Sequence, residues 1–354
     1  MDDIQFERRG TAGHVILNRP QALNAVSHAM VRALAQQLIE WERNDAVTRV
    51  VVTARPGRAF SAGGDLRELY DLGRAGRYED ALTFFRDEYA LNAQIKHYRK
   101  PYVALIDGIV MGGGAGVSVH GSHRVAGDRF VFAMPEVGIG FFPDIGATWF
   151  LPRMPGVLGT YCALTGERLA ATDAVGAGIA THHVNSARFA DLVGALCGAT
   201  PVDAVLAAFA EPAGEGPVMA RRGAIDRLFL GEQVEEIFAR LDAEAQGGGT
   251  YAQFAAATVA LMRTKSPTSL KIGLAQMQRG GALAFDECMR TEFRIVSRVM
   301  RGHDIYEGIR AVIIDKGQTP QWQPATLDAV TAAEVARHFA PLARELDLPQ
   351  WGSP

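Results

Sequence analysis

Two carboxylates stand close together in the stretch Met134-Pro135-Glu136-Val137-Gly138-Ile139-Gly140-Phe141-Phe142-Pro143-Asp144-Ile145-Gly146. Glu136 sits among apolar and glycine residues, where an acid is desolvated and its pKa perturbed. The plainer alternative for it is a solvated loop charge. Asp144 suits two roles equally. It follows a proline and precedes Ile145-Gly146-Ala147-Thr148-Trp149-Phe150, so it fits a helix N-cap as well as it fits catalysis. A pair of carboxylates can do general acid/base work or attack a thioester or ester carbonyl.

Such chemistry needs a place for negative charge on the carbonyl oxygen, and two glycine-rich runs offer one. The first is Ala59-Phe60-Ser61-Ala62-Gly63-Gly64-Asp65-Leu66, and the second is Asp107-Gly108-Ile109-Val110-Met111-Gly112-Gly113-Gly114-Ala115-Gly116. Each follows a run that reads as a buried strand, Arg49–Thr53 and Tyr102–Ile106, and each leads into a helix start. Bare backbone at a helix start leaves N–H groups without partners. Two such groups converging on one oxygen form an oxyanion hole. The second run has an alternative reading as tight helix–strand packing. Neither run has the GxGxxG or GK[ST] spacing of a nucleotide site.

Other candidates carry less. Gly116-Val117-Ser118-Val119-His120 misses the GxSxG elbow by one residue and places Ser118 inside a helix. His120 and His123 lack an HExxH context, and His182-His183 has no Cys or carboxylate nearby in sequence, so both pairs read as structural. Glu88, within Phe84-Phe85-Arg86-Asp87-Glu88-Tyr89, reads from its surroundings as a solvated helix charge.

The elements that must hold these residues are of mixed α/β type. Ile4–Arg8 and His14–Asn18 read as strands around a turn at Gly10. Ser27 caps a helix to about Glu42 with Met30, Leu34, Leu38 and Trp41 on one face. Arg49–Thr53 is apolar enough to be buried on both sides. A helix is expected over Leu82–Lys96, a strand after Pro101, a short helix over Gly113–His120 and a strand over His123–Ala126. This pattern holds over residues 1–195. Residues 196–354 read as a mainly helical region with a variable Ala/Gly-rich middle segment. There Ser266-Pro267 starts one helix, Gly280-Gly281 stops it, and another runs from about Phe285 to Met300.

The whole composition is that of a soluble enzyme. The 354 residues carry 21% charged side chains and a formal net charge of −3, with no basic surplus for nucleic acid. No apolar run approaches a membrane span. The opening Met1-Asp2-Asp3-Ile4-Gln5-Phe6 has no signal-peptide features, so a cytoplasmic location is expected. Cys162, Cys197 and Cys288 are widely spaced and read as core residues in a reducing compartment.

Taken in order, these segments resemble the crotonase, or enoyl-CoA hydratase/isomerase, superfamily. The similarity rests on Leu17–Ala25, on 59–66, on the triple glycine and on Pro135-Glu136. It is closer to the 3-hydroxyisobutyryl-CoA hydrolase branch through Phe84–Leu91, Met111–Gly121, Phe132–Leu151, Ser266–Lys271 and Met300–Ala311. The resemblance implies a crotonase-like spiral of ββα units with a C-terminal helical region. It implies a CoA thioester substrate and no metal or organic cofactor, since CoA belongs to the substrate. By the same resemblance the N–H groups of Gly64 and Gly113 form the oxyanion hole, Glu136 and Asp144 are catalytic, and Glu88 contacts substrate. The backbone near Ala22, Leu23 and Ala62 would hold the adenine end of CoA. The family is compatible with a homo-oligomer built through the C-terminal helices.

One departure separates the branches. Hydratases place a second glutamate in the helix after the triple glycine, and here that place is Gly116. The expected activity is therefore hydrolysis of a short branched 3-hydroxyacyl-CoA, and the resemblance implies 3-hydroxyisobutyryl-CoA in valine breakdown as the substrate. The alternatives are an enoyl-CoA hydratase or isomerase of the same fold and, in another class, a protein that binds CoA thioesters without turning them over.

Overall fold

The chain begins with β1 (Ile4–Arg9) and β2 (Ala12–Leu17), an antiparallel pair turned at Gly10, which has φ +59°. The structure is a computed structural model and describes residues 2–349. Helix α1 (His28–Glu42) follows, and the Ser27 side chain accepts a 3.3 Å hydrogen bond from Met30 N–H at its start. Then come β3 (Arg49–Ala54), β4 (Ala59–Ser61), α2 (Leu66–Arg74), α3 (Tyr78–Lys96), β5 (Tyr102–Ile106) and β6 (Ile109–Met111). The single-turn α4 (Gly113–Gly116) leads to β7 (His123–Ala126), β8 (Val131–Ala133), α5 (Ala147–Phe150), β9 (Leu169–Ala170) and β10 (His182–His183).

Successive strand pairs split between two sheets. β3, β5 and β7 run parallel in a six-stranded sheet of order β1-β2-β3-β5-β7-β10. β4, β6 and β8 run parallel in a four-stranded sheet of order β4-β6-β8-β9. Each ββ pair thus adds one rung to each sheet before the chain moves on, which is the expected spiral. Burial explains why the central strands are apolar on both faces. In β3, Val50 and Val52 enter the main core, while Val51 enters a second core closed by Leu192, Leu196, Val205 and Leu206. In β5, Tyr102, Ala104 and Ile106 face the first core and Val103 and Leu105 the second.

Beyond β10 the named elements are helices. The helix Pro267–Gly280 is capped by Ser266, which accepts from Ser269 N–H at 3.1 Å and donates to Asp304 Oδ2 at 2.6 Å. It packs on α5, and the helix Phe285–Val299 packs on both α3 and α5. Several boundaries differ from the sequence reading. α3 starts at Tyr78, with Glu79 and Asp80 in its first turn, rather than at Leu82. α4 ends at Gly116 rather than at His120, because a glycine-rich run has little helix propensity and forms one turn. The strands β4, β8, β9 and β10 are two to three residues long and left no periodic signal.

Candidate active site

The two glycine runs meet because β4 and β6 pair in parallel and end side by side. After β4 the chain turns through Gly63, at φ +117°, and Val26 forms a single bridge to Gly64. That bridge uses the Gly63 carbonyl, at 2.8 Å, and the Asp65 N–H, at 3.2 Å. The Gly64 N–H has no backbone acceptor among the described residues. After β6, Gly112 takes φ +45° and places Gly113 first in α4, where its N–H has no intrahelical partner. A Cβ on Gly113 would lie 3.4 Å from Gly64 N and 2.6 Å from Glu88 Oε1. One on Gly112 would lie 3.6 Å from Glu136 Oε1. The packing alternative also holds for part of the run, since a Cβ on Gly114 would lie 2.3 Å from the Ser61 carbonyl oxygen.

These residues border a cavity of about 410 Å³. Of the expected site residues it brings together Ala62, Gly64, Glu88, Gly113, Glu136 and Asp144. Ala22 and Leu23 are not among its lining residues; Leu23 is exposed and joins the site only by accepting from Ala62 N–H at 3.0 Å. Phe84, Phe85, Phe141, Ile305 and Ile309 make the walls apolar. Lys265 also reaches the lining, and burial pulls its pKa down.

The acids are desolvated. Glu136 is 6% exposed, Asp144 5% and Glu88 2%, so Glu88 is not the solvated helix charge its neighbours suggested. Glu136 Oε2 and Glu88 Oε1 have no hydrogen-bond partner among the described residues. Burial, then the neighbouring Asp144, pushes the pKa values of Glu136 and Glu88 well above the carboxylate range. Burial raises Asp144 to about 7, against the lowering effect of the Tyr89 hydroxyl, which donates to Asp144 Oδ2 at 2.9 Å. Asp144 does not cap α5. The N-cap position is Gly146, without a side-chain cap, and the Asp144 carboxylate turns to Tyr89 instead.

Two further residues were not singled out from the sequence. Tyr89 follows Glu88 on α3 and is fully buried. Glu292 is fully buried on the helix Phe285–Val299 and accepts from Gly146 N–H at 2.7 Å and Thr148 N–H at 2.8 Å. Burial and Asp144 raise its pKa to about 8. A signal for Glu292 existed: it lies four residues from Cys288 and Val296, on the apolar face of an amphipathic helix.

The histidines singled out from the sequence, His120, His123, His182 and His183, all have hydrogen-bond partners. His120 Nε2 lies 2.6 Å from the Ile145 carbonyl, and burial lowers its pKa to about 3. His183 does find a carboxylate, Asp128 at 3.3 Å, and His123 finds Asp203 at 2.8 Å; both acids come from distant parts of the sequence. No group of three or more His, Cys, Asp or Glu among the described residues could hold a metal ion. All three cysteines are buried and unpaired. Among the described residues no helix is long and apolar enough to cross a membrane. At Gly116 an added Cβ would lie 2.7 Å from Asn92 Nδ2 and 3.2 Å from Ile145 Cβ, so the place of the hydratase glutamate is filled by other side chains.

The raised carboxylates predict the sign of a stability profile. A group whose folded pKa exceeds its unfolded value gives stability that is present below the unfolded pKa and lost as pH rises through the folded one. Asp144 at about 7 and Glu292 at about 8 therefore make the melting temperature fall between pH 6.5 and 8.5. His120, held neutral, acts in the opposite sense but only below its ordinary value of 6.5. The fall should be shallower in Asp144→Asn, as read by scanning fluorimetry across that window. A melting temperature that climbs with pH in the wild type would contradict the burial of these acids.

The chain matches the enoyl-CoA hydratase/isomerase family over residues 12–339. It is 43% identical over 350 residues to a protein of Danio rerio called 3-hydroxyisobutyryl-CoA hydrolase, mitochondrial, covering 96% of this chain and 90% of that protein. The Homo sapiens protein of the same name is 40% identical over 351 residues, covering 96% and 89%. Among solved structures, one titled as a carnitinyl-CoA dehydratase from Mycobacterium thermoresistibile superposes with a TM-score of 0.92 at 40% identity, covering 99% of this chain and 100% of that one. One titled as an enoyl-CoA hydratase from Rhodobacter sphaeroides superposes with a TM-score of 0.91 at 38% identity, covering 98% and 100%. By sequence and by fold the chain belongs to the enoyl-CoA hydratase/isomerase superfamily, the crotonases, and within it to the branch of the 3-hydroxyisobutyryl-CoA hydrolases.

Proposed function

We infer that the protein hydrolyses 3-hydroxyisobutyryl-CoA, a short branched 3-hydroxyacyl-CoA thioester, to the free hydroxy acid and CoA. One observation carries the reading beside the curated relatives. Two backbone N–H groups without partners among the described residues, Gly64 and Gly113, border the same apolar cavity as three buried carboxylates, while Gly116 leaves no room for the hydratase acid. In the proposed scheme the thioester oxygen accepts from Gly64 and Gly113, which stabilise the tetrahedral intermediate. Glu136 attacks the carbonyl carbon and the C–S bond breaks, giving an acyl–Glu136 anhydride that water then opens. In the other route Glu136 takes a proton from water, which attacks directly. Asp144 positions that water or protonates the departing thiolate, a role suited to a pKa of about 7. Glu88 pairs with the substrate hydroxyl. No metal or organic cofactor enters the scheme.

The two solved neighbours, named as a dehydratase and a hydratase, favour a second reading, hydration or dehydration of an enoyl-CoA. It would have to run on Glu136 with Asp144. Valine breakdown is the setting that goes with the hydrolase reading. A cytoplasmic location and self-association through the C-terminal helices are proposed with it; the curated relatives are named as mitochondrial, so cell fractionation and light scattering test these two points.

Thiol release from 3-hydroxyisobutyryl-CoA should proceed without added metal or nucleotide, unchanged by chelator, and faster than loss of enoyl absorbance from crotonyl-CoA. Hydration outrunning hydrolysis would promote the second reading. Glu136→Gln should keep CoA binding and lower turnover ~10²-fold or more, the scale for a lost base or nucleophile. Asp144→Asn should lower turnover with little loss of folding stability. Glu88→Ala should harm the 3-hydroxyacyl-CoA more than the acyl-CoA without the hydroxyl, because a buried partner then goes unpaired. Equal losses on the two substrates would remove Glu88 from substrate recognition.

A further inference from the structure

The segment that carries Asp144 is under strain and is held from several sides. Ile145 has φ +54°, a region that β-branched residues avoid, and residues 141–148 are all buried. Such a backbone persists only where its surroundings over-determine it. His120 bonds the Ile145 carbonyl at 2.6 Å. Gln276 Nε2, on the helix Pro267–Gly280, donates to the Pro143 carbonyl at 2.9 Å and to Thr148 Oγ1 at 2.8 Å. The N–H groups of Gly146 and Thr148, at the start of α5, also need acceptors. In most helices a nearby Asp, Ser or Thr side chain would satisfy them, and Asp144 stands at the right distance in sequence to try. Here both oxygens of Glu292 satisfy them instead, from 146 and 144 residues away.

We propose that Glu292 is a positioning residue for Asp144: by taking over the cap of α5 from the C-terminal helices, it leaves the Asp144 carboxylate free to face the cavity and Tyr89. Glu292 does not line the cavity, so it acts through the loop and not on substrate. An amide in its place offers a single acceptor oxygen for two N–H groups and sets its NH2 against one of them. Asp144 then competes for the cap, and its geometry at the reacting centre is lost.

The proposal rests on the hydrolase reading only through the assay, and a double-mutant cycle tests it. Wild type, Glu292→Gln, Asp144→Asn and the double variant are assayed for kcat and KM by thiol release from 3-hydroxyisobutyryl-CoA. If wild type releases no thiol, the hydrolase reading fails, and the same cycle is run on crotonyl-CoA hydration. Glu292→Gln should lower kcat about 10-fold or more with KM changed less than about 3-fold, the pattern of an interaction felt in the transition state. In the Asp144→Asn background it should lower kcat by less than about 2-fold, because residues acting as a unit are non-additive. Should Glu292→Gln fail to fold, Glu292→Asp, which keeps the carboxyl group and shortens the reach, is carried through the same cycle. Equal losses of kcat in both backgrounds, or a single variant as active as wild type, overturn the proposal.

Discussion

The approach of bare backbone to carboxylate at Gly112-Gly113-Gly114 is the constraint on which the cavity depends. A methyl group at Gly113 would sit 2.6 Å from Glu88 Oε1, and one at Gly114 would strike β4 at Ser61. Because neither exists, α4 lies against the end of β4 and Gly113 comes beside the Gly64 nitrogen. Parallel pairing of β4 with β6 makes this juxtaposition unavoidable once the register is set. The spiral therefore does more than bury apolar strands. Each turn of it brings the next loop to the same edge.

Electrostatics follow from what surrounds that edge. Glu88, Glu136, Asp144 and Glu292 are all buried, and none of the described ion pairs joins any of them to a lysine or arginine. Desolvation, joined at Glu88, Glu136 and Glu292 by repulsion from Asp144, makes each acid hold its proton to a higher pH than in water. A cluster of this kind destabilises the fold as it ionises. Its retention beside an apolar cavity is the pattern of acids used for proton transfer or nucleophilic attack.

The helices after residue 195 complete the site. Gln276 and Glu292 reach the strained loop around Ile145 from two helices that pack on α5. Ile305 and Ile309 wall the cavity itself. The Asp144 loop would have no fixed shape from its own sequence, since Ile145 and Gly146 both take positive φ. Its conformation is imposed from outside.

The sequence by itself determined the α/β pattern, the Ser27 and Ser266 caps, the apolar central strands and the two glycine runs. These are local matters: period, cap chemistry and backbone freedom act within a few residues. It also marked Glu136, because an acid among apolar and glycine neighbours is conspicuous wherever it ends up. The tertiary structure decided what depends on distant partners. Glu88 read as solvated and is buried, because α4 has no side chains where α3 crosses it. Asp144 was balanced between cap and catalysis until a carboxylate from another helix took the cap. Ala22 and Leu23 were assigned to the substrate path by resemblance, and the cavity does not reach them. Burial and hydrogen-bond satisfaction are sums over neighbours in space, and a linear pattern names only the neighbours in sequence.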